Sequence, residues 1–159
     1  MSSKLWRQLV DRLSNQATRR GGVAIEDPGM LTLQPPQDSG ELVRATLYTD
    51  ESGTDRTVIV TTGFAHRLTA SLNDPDDVDY VCMMVVAVLG GHAAEVAEVA
   101  ADGTWLNVAS VVETPDGGAQ RGTQIAPAWH LKGRPVDHEH RRQIDPWPRP
   151  AGNETSPEA

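Results

Sequence analysis

The sequence predicts an α+β domain: an antiparallel sheet of about five to seven strands, with an amphipathic helix at the N-terminus and a core helix in the middle. Three observations carry this reading. An apolar stripe of helical period runs through residues 4–19, and a capped apolar run follows Asp74. The other segments are short strand-like runs separated by turn residues, with no alternating βαβ pattern, which argues against a doubly wound nucleotide-binding sheet.

In the first helix, Leu5, Leu9, Leu13 and Ala17 recur every four residues, and Trp6 and Val10 widen the stripe. Ser3 suits the N-cap. Arg19 and Arg20 suit the negative end of the helix dipole, and Gly21 a left-handed stop. Val23–Glu26 and Met30–Gln34 then flank Asp27-Pro28-Gly29, whose Pro-Gly order fits a tight turn. Leu42–Thr49 alternates, with Leu42, Arg44, Thr46 and Tyr48 on one face and Val43, Ala45, Leu47 and Thr49 on the other. A polar loop over 50–55 leads to Arg56–Thr62, rich in β-branched residues, and Phe64–Leu72 reads as a further strand or a connection.

Asp74 is a capping residue, Pro75 fits the first helical position, and Asp76 and Asp77 favour the positive dipole end. Val78, Val81, Cys82, Val85 and Leu89 form the stripe behind them, ended by Gly90-Gly91. The valines would permit a strand, but the caps decide for helix. Ala93–Ala101 reads either way by composition, and the Asp102-Gly103 turn before Trp105–Val112 decides for a hairpin. Ala119–Trp129 follows a Pro-Asp-Gly-Gly turn as a last strand, and a short helix is expected at Val136–Ile144. Beyond residue 131 the only Leu, Ile, Val or Phe are Val136 and Ile144. The expected organisation is therefore one α+β domain over 1–131, followed by a Pro-rich, weakly ordered or docked extension over 132–159.

The net charge of -8 is unevenly placed: residues 1–20 carry +4, residues 21–120 carry -13 and residues 121–159 carry +1. Duplex binding depends on Lys and Arg neutralising phosphates, so a body of this sign argues against nucleic acid. No run approaches the length of apolar chain that spans a bilayer, and charges at Arg7, Asp11 and Arg12 interrupt a secretory leader. A cytoplasmic protein is expected, with no membrane partner. A single cysteine, Cys82, excludes an internal disulfide and sits inside the apolar helix face, where it acts as a small hydrophobe.

Phosphate-binding loops, serine-hydrolase elbows and calcium loops are missing from the sequence. His138-Glu139-His140, with His130 upstream, brings imidazoles close in sequence; extended chain would put His138 and His140 on one face, whereas a helix would splay them. Arg141-Arg142 next to them would repel a cation, so a polar linker is preferred and neither a metal nor a cofactor is predicted. His66-Arg67 could bind an anion, but such a pair on a strand or loop more often simply faces water. Carboxylates crowd two places: Asp50, Glu51 and Asp55 in one loop, and Asp74, Asp76, Asp77 and Asp79 at one helix start. Capping and loop hydration account for both groups, and the functional alternative is an acidic face that steers a basic partner. Trp129 and Trp147 lie where no core obviously claims them, and a tryptophan there suits either an interface anchor or docking on the parent domain.

The order helix, three strands, helix, two strands, in a small acidic chain without catalytic motifs, resembles the secretion-chaperone fold. It also looks like small bacterial immunity proteins that neutralise a toxin made beside them. The resemblance spans roughly residues 4–112 and rests on element order and acidity, so no functional positions carry over. It implies a non-enzymatic module that binds another protein, with Asp50, Glu51, Asp55, Asp74, Asp76, Asp77, Asp79, Trp129 and Trp147 as partner-binding candidates. Two other readings stand beside it: a small metal- or His-dependent enzyme using His66, His130, His138 and His140, and a self-associating structural subunit.

Overall fold

A computed structural model describes residues 3–36, 39–63, 66–113, 115, 119–125 and 133–150. Helix α1 (Lys4–Arg19) starts where Ser3, in extended conformation, accepts the Trp6 N–H on its hydroxyl at 3.0 Å. It ends as the Arg20 N–H turns back to the Ala17 carbonyl and Gly21 adopts a φ of +80°. Trp6, Leu9, Val10, Leu13 and Ala17 are its buried face, while Leu5 is only half-buried.

Five strands follow as an antiparallel meander in sequence order: β1 (Val23–Asp27), β2 (Met30–Gln34), β3 (Val43–Thr49), β4 (Arg56–Thr62) and β5 (His66–Ser71). The stretch read as strand or connection is thus a strand. Alternation sorts the sheet into two faces. Leu31, Leu33, Val43, Ala45, Val58, Val60 and Leu68 point inward and are buried with the apolar faces of both helices. The opposite face, bearing Ile25, Arg44, Tyr48, Thr61 and Arg67, is open to solvent.

Helix α2 (Pro75–Leu89) carries the capping box that its sequence announces. Asp74 accepts from the Asp76 and Asp77 N–H groups, and Asp77 accepts from the Asp74 N–H at 3.1 Å. Such a cap is worth about 1 kcal/mol. Val78, Val81, Cys82, Met84, Val85, Val88 and Leu89 are buried, which makes α2 the core helix.

A second antiparallel sheet contains β6 (Ala93–Val99), β7 (Trp105–Glu113), β8 (Ala119–Ile125) and β9 (His138–Gln143) in the order β8-β7-β6-β9. The nine strands among the described residues exceed the five to seven expected, and they form two sheets instead of one. No strand ladder joins β5 to the second sheet among the described residues; there the Arg67 N–H donates to the Ser110 hydroxyl of β7. Turn residues in a sequence reveal hairpins, but not which edge the next hairpin will find.

The short helix expected at Val136–Ile144 is corrected to a strand and its exit. The His138–Gln143 backbone pairs with β6 from Val99 to Ala94, and two arginines complete the match. Arg142 pairs with Glu95 on the adjacent strand, and Arg141 reaches Glu113 at 2.8 Å. The chain then runs across the molecule. The Ile144 N–H donates to the Ala93 carbonyl at 2.9 Å and the Trp147 N–H to the Leu89 carbonyl at 2.8 Å. Ile144 and Trp147 both lie in the main core, so residues 138–147, part of the stretch expected as an extension, supply one strand and two core side chains. Among the described residues, no helix is long and apolar enough to cross a membrane.

Candidate functional site

The two acidic groups, whose nearest members Asp55 and Asp74 are 19 residues apart in the chain, meet at one end of the five-stranded sheet. Pairing of β4 with β5 brings them together: the Leu72 N–H donates to the Arg56 carbonyl, and the Arg56 N–H donates to Asn73 Oδ1, both at 2.9 Å. The loop 50–55 therefore sits beside the start of α2. The β1–β2 turn reaches the same end, since the Leu47 N–H donates to the Gly29 carbonyl at 2.8 Å, and it adds Asp27.

Within this surface the carboxylates divide by role. Asp50 organises its own loop, accepting from the Thr54 and Asp55 N–H groups at 2.9 and 3.0 Å and from the Ser52 hydroxyl at 2.6 Å. These bonds, that of Ser52 first, hold its pKa below the ordinary carboxylate range. Asp74 and Asp77 are the capping box, and Asp79 forms an ion pair with Arg12 of α1. Glu51, Asp55 and Asp76, together with Asp27, are exposed and make no side-chain hydrogen bond or ion pair among the described residues. Half-buried Arg56, at the start of β4, is the nearby basic residue that tempers the charge.

A pH dependence follows for the loop. Because Asp50 has a lowered pKa when folded, its contribution is complete above the ordinary carboxylate range and is lost as pH falls through the folded value. Asp50→Asn is expected to remove that part of the acid limb. Urea unfolding of both proteins at several acidic pH values checks it: the difference between them should shrink steadily toward low pH, and a constant difference would refute the assignment.

The remaining candidates are dispersed. Trp129 and His130 lie outside the described residues. Trp147 is 4 % exposed, and its indole N–H donates to the Glu41 carbonyl at 2.8 Å; it belongs to this chain's own core and is withdrawn from the partner-binding surface. His66 opens β5 opposite Thr62, far along the sheet from the acidic end. His138 and His140 do share a face of β9, but their partners differ: His138 Nδ1 lies 2.9 Å from Asp137, and the His140 ring lies 5.8 Å from that of Trp105. Among the described residues no three His, Cys, Asp or Glu side chains group to hold a metal ion. Cys82 is buried, and burial raises its pKa away from the reactive thiolate form.

One polar cluster escapes sequence reasoning. Arg142 of β9 donates to Glu95 of β6 at 3.0 Å and to Glu41, just before β3, at 2.7 Å, so one guanidinium ties the two sheets together. Glu95 is 5 % exposed. Gly63, at φ +60°, passes so close that a Cβ there would collide with Arg142, Glu41 and Glu95. The two carboxylates raise the Arg142 pKa further above its ordinary value. One guanidinium bridges a carboxylate from each sheet's side, so the arrangement is a clamp. Its members lie 101 and 47 residues apart in the chain, and no local pattern links them.

No protein-family model matches the chain, and neither a curated protein nor a solved structure matches it.

Proposed function

We propose that this protein is a non-enzymatic binding module that presents its acidic end to a basic surface of another protein, as an immunity protein or secretion-chaperone-type partner does in the cytoplasm. One observation carries the reading: Glu51, Asp55 and Asp76, from two distant segments, stand at one end without ionic partners among the described residues, on a scaffold that Asp50, Asp74 and Asp77 hold in shape. Uncompensated charge at one end accelerates encounter with an oppositely charged surface and disfavours acidic ones. The neighbouring Tyr48, 54 % exposed, supplies the amphipathic area that charge alone lacks.

The test is capture from native host lysate on the immobilised full chain, followed by binding kinetics with the purified partner. The triple variant Glu51→Lys, Asp55→Lys, Asp76→Lys alters no cap and no internal pair. It is expected to slow association about tenfold or more at low salt, with a smaller difference at high salt. Equal association rates for a folded variant and the native chain would overturn the reading.

A further inference from the structure

Strand β9 carries a pair of imidazoles that neither the clamp nor the acidic end uses. His138 and His140 alternate with Glu139, so they lie on one face of an extended strand with Cα atoms about 6.6 Å apart. The ladder to β6 fixes that spacing, with His138 opposite Val99 and His140 opposite Ala97. It is closed just outside both ends of the strand. The Asp137 N–H donates to the Val99 carbonyl at 2.8 Å, and the Ile144 N–H to the Ala93 carbonyl at 2.9 Å. Both histidines are exposed, beside buried Ala97 and Val99, and the ring of Trp105, itself 47 % exposed, lies 5.8 Å from that of His140. Asp137 lies 2.9 Å from His138 Nδ1; an ionised carboxylate can only accept, so the ring proton sits on Nδ1 and Nε2 keeps its lone pair for another bond.

We propose that His138 and His140 form a two-imidazole chelate for a divalent transition metal, Cu²⁺ ahead of Ni²⁺ and Zn²⁺, with water in the remaining positions. This goes beyond binding at the acidic end and does not depend on it. Imidazole suits these ions, whereas Mg²⁺ and Ca²⁺ take oxygen ligands, and Cu²⁺ stands highest in affinity for a given nitrogen site. The objection raised by the sequence, Arg141-Arg142 beside the pair, is offset in the fold. Arg141 lies on the opposite face of β9 and pairs with Glu113. Arg142, on the same face as the histidines, is held by Glu95 and Glu41, and Arg134 by Asp102. Asp137 has the place of the outer carboxylate that orients a ligating imidazole and raises its basicity. Among the described residues no third His, Cys, Asp or Glu joins the pair to close the coordination. The site is therefore open and exchangeable, unlike the closed four-ligand sites that hold a fold together.

Titration of the untagged full chain with cupric chloride tests this, followed both by calorimetry and by tryptophan fluorescence. The native chain is expected to bind a single Cu²⁺ saturably, Ni²⁺ and Zn²⁺ more weakly, and Mg²⁺ not at all. His138→Ala or His140→Ala turns the chelate into a lone ligand and should weaken Cu²⁺ binding about a hundredfold. Asp137→Asn should weaken it about tenfold. His92→Ala, at the opposite end of β6, should leave it unchanged. Bound Cu²⁺ quenches a neighbouring indole, so Trp105→Phe should lose most of the quenching while keeping the calorimetric binding. No saturable binding to the native chain, or binding unchanged in a folded variant lacking both His138 and His140, overturns the proposal. Quenching undiminished in Trp105→Phe would put the ion elsewhere and overturn it as well.

Discussion

Trp147→Ala is expected to lower the free energy of unfolding by about 3–5 kcal/mol, read from urea denaturation followed by far-UV circular dichroism. The indole is 4 % exposed, and the chain has been shaped to receive it. A Cβ on Gly22 or on Gly40 would strike the ring, and Gly40 stands at φ +83°, where other residues are strained. Truncation removes buried area, leaves a cavity beneath the end of α1 and frees the Glu41 carbonyl from its donor. Trp147→Phe should recover part of the loss, since it refills volume without restoring the hydrogen bond. A change below about 1 kcal/mol for Trp147→Ala would mean that the segment is not docked in solution.

Arg142→Ala carries the second largest expected effect, about 2–3 kcal/mol, because it takes from Glu95, a buried carboxylate, the guanidinium that donates to it. Arg142 itself is 39 % exposed at its side chain, which keeps the figure below that of a fully buried pair. A double-mutant cycle separates the pair from its parts. Arg142→Met with Glu95→Met should be far less destabilising than Arg142→Met alone, since the second change removes the buried charge that the guanidinium had balanced. Strict additivity of the single changes would show that the clamp contributes no coupling.

The helices were legible because their signals are local. Ser3, the four-residue stripe and Gly21 bracket α1, and Asp74-Pro75 with Asp77 bracket α2; each feature contacts something within five residues. The β1–β4 hairpins were legible for the same reason. Strand β9 was not, because His-Glu-His-Arg-Arg-Gln has no apolar alternation to betray it. It forms because β6 offers a backbone edge and because Glu95 and Glu113 await its arginines. The candidate surface was half legible. Each acidic group stood out in the sequence, but their meeting depends on the β4–β5 pairing, and the capping roles of Asp74 and Asp77 left Asp76 as the uncommitted member of its group. Trp147 was recognised as an unusual residue in a polar stretch, whereas the pocket made by Gly22 and Gly40 is a long-range fact.

The place of β9 at an edge also bears on how the chain is made. Synthesis delivers β6 and β7 well before His138–Trp147, so for that interval β6 presents an unpaired row of N–H and C=O groups and the pocket over Gly22 stands open. The body must wait for its own last strand, and any other chain with an extended edge competes for the position meanwhile. Because residues 138–147 pair after the early hairpins, substitutions in them are expected to speed unfolding more than they slow folding.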